Sequence, residues 1–66
     1  MKLNRIRVVL AEKDKTNKWL SEKVGKSQVT VSRWCSNSHQ PSLQDLKIMA
    51  EALDVDIKDL INSTKI

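Results

Sequence analysis

The chain has 66 residues, one cysteine and one glycine, and 12 Lys/Arg against 8 Asp/Glu give it a formal charge of +4. That length predicts a single small domain (1–66), near the lower limit for a core that folds without disulfides or metals, so dimerisation would help it. One cysteine excludes an internal disulfide, and Asn4, Arg5 and Arg7 break up the first apolar residues, which argues against a signal peptide or membrane span; the expected location is a reducing cytoplasm.

In chain order, Leu3, Ile6, Val9 and Leu10 form one stripe and predict a first helix over roughly 2–13, with Lys2, Arg5 and Arg7 turned away from the stripe and Val8 exposed. Asp14 tolerates a left-handed backbone, so Asp14 and Lys15 read as a connector into a cap at Thr16. Residues 16–37, TNKWLSEKVGKSQVTVSRWCSN, then read as two short helices joined at Gly25. Leu20 and Val24 share one face before the glycine; Val31, Trp34 and Cys35 repeat the i, i+3, i+4 pattern after it. Glycine takes a left-handed conformation at a helix end without steric cost, and Thr16 and Ser27 each offer a hydroxyl to the free N–H groups of the helix that follows. Trp19 lies beside the Leu20 stripe, which predicts a ring half-buried against a neighbouring helix, with a backbone or partner contact as the alternative.

The helix expected over 28–36 turns Gln28, Val29, Ser32 and Arg33 away from its apolar side. Gln can bond the N6/N7 edge of adenine, Arg the O6/N7 edge of guanine, and Val can touch a thymine methyl, so this face suits a DNA major groove, with Thr30 flanking it. An ordinary solvated face is the bland alternative; a valine left outside and the adjacent turn argue against it. Charge points the same way: residues 1–34 hold nine Lys/Arg against three Asp/Glu, a net +6, and residues 35–66 hold three against five, a net −2. A basic half carrying the candidate reading helix is the footprint of a polyanion binder, although an idle basic surface would look alike. Gly25-Lys26-Ser27 matches the end of a phosphate-binding P-loop, but the glycine needed five residues earlier is Leu20. Lys26 is better placed as a phosphate-facing residue at the mouth of the helix.

Residues 36–40 form a polar connector closed by Pro41. Ser42 then caps a helix whose expected buried stripe is Leu43, Leu46, Met49, Ala50 and Leu53, ending at Asp54. Val55, Ile57, Leu60 and Ile61 predict a last short amphipathic helix; a strand is rejected because no second strand candidate could pair with it. Residues 62–66 read as a frayed tail. His39, the only histidine, has no partner at ligand spacing within its loop, so neither a metal nor general-base chemistry is expected.

Residues 16–37 resemble the helix-turn-helix of the phage Cro/repressor type, a large family of mostly bacterial transcription regulators, and residues 40–61 resemble its two closing helices. The resemblance implies an all-α, five-helix, lambda-repressor-like domain that binds double-stranded DNA and regulates transcription, as a repressor, by occupying an operator. It implies homodimers on half-sites about one helical turn apart, here through the last helix and tail (Ile57, Leu60, Ile61, Ile66). It places Asn17 where relatives grip a phosphate, with Lys18 beside it, and lays the Ser38-His39 loop along the DNA backbone. The expected contacts are therefore Gln28, Val29, Ser32, Arg33 and Thr30 for bases, and Asn17, Lys18, Lys26, Ser27, Ser38 and His39 for the backbone, with Arg33 able to reach a phosphate instead.

The chain departs from the family pattern in places. Relatives carry an Arg late in the first helix and a Glu at the end of the recognition helix as a buried ion pair; Leu10 and Cys35 stand there, and the expectation is an apolar contact between them. Asn17 replaces a common Gln and is one methylene shorter; Lys15 replaces a common apolar residue. Two rival classes are a protein-interaction module of the same fold, antitoxin-like or accessory, marked by an apolar patch for which Trp19 and Val8 are the candidates, and an enzyme, for which no clustered side chains speak. No cofactor or small-molecule ligand is expected.

Overall fold

The computed structural model describes residues 2–63. Four α-helices follow one another, α1 (Ile6–Glu12), α2 (Asn17–Val24), α3 (Gln28–Cys35) and α4 (Leu43–Leu53), and a 3₁₀ turn (Ile57–Leu60) closes the chain. The expected fifth helix is therefore a single tight turn. Asp56 and Asp59 form a reciprocal capping box around it, and at Ile61 the backbone is already extended, because Ile61 pairs antiparallel with Asn4.

Each helix stops in the same way. The residue after the last turn is left-handed, at Asp14 (φ 58°), Gly25 (φ 70°), Asn37 (φ 65°) and Asp54 (φ 56°). In each case the next N–H reaches back to a carbonyl in the final turn: Lys15 to Leu10, Lys26 to Ser21, Ser38 to Arg33 and Val55 to Ala50. This is the Schellman closure, which satisfies carbonyls that the helix leaves free. Asp and Asn enter this conformation more readily than other side chains, so one glycine suffices for four helix ends. Three of the starts are alike, with Thr16, Ser27 and Ser42 accepting from Trp19 N, Thr30 N and Asp45 N, while Arg5, which precedes α1, supplies no side-chain cap.

The stripes meet in one core: Ile6, Val9 and Leu10 of α1, Leu20 and Val24 of α2, Val31 and Trp34 of α3, Leu46, Met49, Ala50 and Leu53 of α4, and Leu60 of the closing turn. Trp19 and Cys35 pack against its edge half-buried, and Leu10 lies within it. Val8 is exposed. Lys15 and Lys23 place their ammonium groups 4.9 and 5.6 Å from the Trp19 ring centroid, so Lys15 covers an aromatic face.

Four expectations need correction. α1 starts at Ile6, four residues later than its stripe implied, and Leu3 is 50% exposed. The backbone of Leu3, Asn4 and Arg5 is engaged elsewhere: Leu3 N and Asn4 N donate to Asn37 Oδ1, Arg5 N donates to Leu60 O, and Leu3 O accepts from Asn62 N. These long-range bonds outweigh local helix propensity. Leu43 is 79% exposed because it is the first residue of α4, and burial begins one turn later at Leu46; periodicity identifies a face but not where along that face the packing starts. Leu60, expected at a subunit contact, is fully buried in the chain's own core. Asn62, placed in a frayed tail, is held by its backbone bond to Leu3 and by Asn62 Nδ2 donating to Lys2 O. Of the other expected dimer residues, Ile57 is half-buried against the core, Ile61 is exposed, and Ile66 lies outside the described residues.

Candidate nucleic-acid interface

The α2–α3 unit is built from both ends inward. Gly25 stops α2, and two residues later Ser27 starts α3, its hydroxyl accepting from Thr30 N at 3.1 Å and lying 3.0 Å from Thr30 Oγ1. Leu20 and Val24 of α2 and Val31 and Trp34 of α3 turn into the common core. Burying those four side chains fixes the rotation of α3 about its axis, so Gln28, Val29, Ser32 and Arg33 are left on the outside. Val29 is 60% exposed, an apolar side chain presented beside amide, hydroxyl and guanidinium groups.

Those four residues and Asn17, from the first turn of α2, line one open depression of about 500 Å³. Asn17 sits at the end of α2 where backbone N–H groups point outward without helical partners, and its Oδ1 accepts from Cys35 Sγ at 3.5 Å. Burial pushes the Cys35 thiol above its ordinary value of 9.0, and Arg7 opposes this more weakly, so the sulfur keeps its proton near neutral pH.

The other expected contact residues lie around this depression rather than in its lining. Lys18 and Lys26 are exposed. Ser27 and Thr30 are occupied with each other at the start of α3, and Thr30 is half-buried. Ser38 donates to Arg33 O at 3.2 Å and receives the Ser36 hydroxyl, while the His39 N–H also turns to Arg33 O, so the Ser38-His39 loop is folded back on the end of α3 with both residues exposed. Among the described residues no group of His, Cys, Asp or Glu is arranged to hold a metal ion, and no helix is long and apolar enough to cross a membrane.

Sequence reasoning missed what anchors the far end of α3. Asn4 is buried, and its Nδ2 donates to Trp34 O at 2.9 Å and Gln40 Oε1 at 2.7 Å, while its Oδ1 accepts from Ile6 N. Asn37 Nδ2 returns a bond to Asn4 O, and Asn62 Nδ2 reaches the same carbonyl at 3.3 Å. The available signal was the recurrence of Asn at 4, 37 and 62, a residue whose side chain competes for backbone groups.

Comparison with known proteins agrees with this geometry. Residues 6–60 match a family described as Helix-turn-helix. The chain is 63% identical to a protein from Bacteroides fragilis whose crystal structure is described as that of a "putative DNA-binding protein", with a TM-score of 0.90 over 94% of this chain and 100% of that one. No curated protein matches the sequence.

Proposed function

Since the chain belongs to the Cro/repressor-type helix-turn-helix family of non-enzymatic DNA-binding domains, we propose that it represses transcription by occupying an operator in double-stranded DNA, with α3 in the major groove. The observation that carries this reading is the outer face of α3. Gln28, Val29, Ser32 and Arg33 stand together on one solvent-facing depression, and Asn17 joins them from the neighbouring helix. Donor and acceptor groups with one apolar contact are the set needed to read base edges, and Asn17, at the start of the neighbouring helix, offers a side-chain amide to the flanking phosphate.

In this mechanism Gln28, Ser32 and Arg33 bond base edges, Val29 meets a thymine methyl, and Thr30 flanks them. Asn17, Lys18, Lys26, Ser27, Ser38 and His39 hold the two phosphate strands and set the register. The net +6 of residues 1–34 draws the duplex to this side. Two copies bind two-fold related half-sites about one helical turn apart. With Leu60 committed to the core, Ile61, 43% exposed, is, among the described residues of the closing segment, the large apolar side chain free to meet a second copy. The site of action is the cytoplasm.

Fluorescence anisotropy of a labelled random-sequence duplex, titrated at low and at physiological salt, tests the reading. Binding should fall steeply with salt, with a slope of about −0.9 per phosphate neutralised; no binding at low salt would overturn it. Once a preferred sequence is selected, Arg33→Ala should relax discrimination at one base pair by about 1–3 kcal/mol. A uniform loss across sequences, with the salt slope flatter by about one, would move Arg33 from the bases to a phosphate.

A further inference from the structure

We propose that Cys35 is a positioning residue for DNA binding: its thiol donates to Asn17 Oδ1 and so holds the Asn17 amide with its NH2 group facing the incoming phosphate. This rests on the operator-binding reading above and adds a residue that touches no DNA.

A side-chain amide has two ends of nearly the same shape, one a carbonyl acceptor and the other an NH2 donor. A phosphate oxygen only accepts, so just one of the two orientations of Asn17 serves it. The other presents a carbonyl oxygen to an anion. Sterics cannot choose between them, whereas a hydrogen-bond donor fixed beside one end can. Cys35 Sγ is that donor, 3.5 Å from Asn17 Oδ1 and 18 residues away in sequence. Cys35 is the last residue of α3 and is wedged half-buried against the core, and Asn17 is the first residue of α2 and lines the depression with the reading side chains. The bond therefore also ties the start of one helix to the end of the other. A thiolate would only accept and would favour the opposite amide orientation; burial raises the thiol above its ordinary value and keeps the proton in place.

The test has two arms. In the free protein, 15N relaxation of the Asn17 side-chain amide should report an ordered group in the wild type, an averaged one in Cys35→Ala, and an ordered one again in Cys35→Ser, whose hydroxyl restores the donor. With a duplex, Cys35→Ala should weaken binding about 2- to 10-fold, Cys35→Ser should recover it, and Cys35→Ala should cost nothing further in an Asn17→Ala background. An Asn17 amide equally ordered in Cys35→Ala, or an equal loss of affinity with and without Asn17, would overturn the proposal. A wild type that binds no duplex at low salt would overturn the operator reading instead, and the amide relaxation would still decide whether Cys35 holds Asn17.

Discussion

The two ends of α3 are anchored by different chemistry. At its start, everything lies within a few consecutive residues: Gly25 turns the chain, Ser27 caps the helix, and the apolar side chains on either side are already in helical register. At its end, Asn37 takes the left-handed position and its side chain leaves the helix altogether, accepting from Leu3 N and Asn4 N, both at 2.9 Å, across more than thirty residues of sequence. Asn4 answers by bonding the carbonyl of Trp34 in the last turn of α3. The start of the candidate reading helix is thus specified by neighbours in sequence, and its end by contacts with the first segment of the chain. Neither end alone aims the outer face; the second one ties that aim to completion of the fold.

The largest effects should come from cutting the long-range end. Asn4→Ala removes the donor to Trp34 O and Gln40 and the acceptor for Ile6 N, leaving buried polar groups unpaired, and is expected to destabilise the domain by about 2–4 kcal/mol. For so small a domain that is a large part of the total. Urea unfolding should show a lower midpoint with an unchanged slope. Asn37→Ala should fall in the same range, because it loses the bonds to Leu3 and Asn4 and also forces an alanine into φ 65°. Asn37→Gly keeps the backbone free and loses only the bonds, so the gap between these two variants measures the strain. A loss well under 1 kcal/mol in Asn4→Ala would mean that apolar packing, and not the asparagine network, fixes the end of α3.

This division also decides what the sequence disclosed. The caps at Thr16, Ser27 and Ser42, the stops at Asp14, Gly25 and Asp54 and the outward face of α3 were all readable, because each is set by neighbours within a turn or two. Asn4 was not. It lies in a stretch whose apolar spacing continues the helix backwards, and nothing local distinguishes an asparagine at the surface from one whose three polar contacts are supplied by residues 6, 34 and 40. The pairing of Asn4 with Ile61 was hidden for the same reason: a single bridge has no alternating run to announce it. In the candidate site, Gln28, Val29, Ser32 and Arg33 followed from periodicity. The thiol bond to Asn17 did not, since nothing in the spacing of residues 17 and 35 brings a cysteine to the start of the preceding helix.

A milder test addresses the local end. Gly25 has φ 70°, and a methyl group added to it would meet no atom within 4 Å, so Gly25→Ala isolates the cost of a left-handed backbone from any clash. The expected loss is about 1–2 kcal/mol, and Gly25→Asn should lose well under half of it, because the same chain already uses asparagine at Asn37. Thermal unfolding of the pair would check this, with each kcal/mol worth about 4–8 °C in a domain of this size. If Gly25→Asn were as damaging as Gly25→Ala, the turn would need glycine for some reason other than φ.

The smallest effect belongs to Cys35, which sits where the two arrangements meet, on the last turn of α3 and against the edge of the core. Burial raises its thiol above the ordinary 9.0 and Arg7 lowers it less, so in the folded chain the proton is held at a pH where the unfolded chain has begun to release it. The folded state then carries more bound protons than the unfolded one, and the sign of the linkage follows: the contribution to stability is complete below about pH 9, the ordinary thiol range, and is lost as pH rises through the folded-state value. Because the side chain is only half-buried, solvent moderates the size of the change. Lysines titrate in the same alkaline range, so the quantity to measure is the stability difference between wild type and Cys35→Ser from about pH 7 to about pH 10. That difference should be flat at neutral pH and turn against the wild type in the alkaline limb. A flat difference throughout would mean that the thiol holds its proton no more tightly in the folded chain than in the unfolded one, against the burial at the edge of the core.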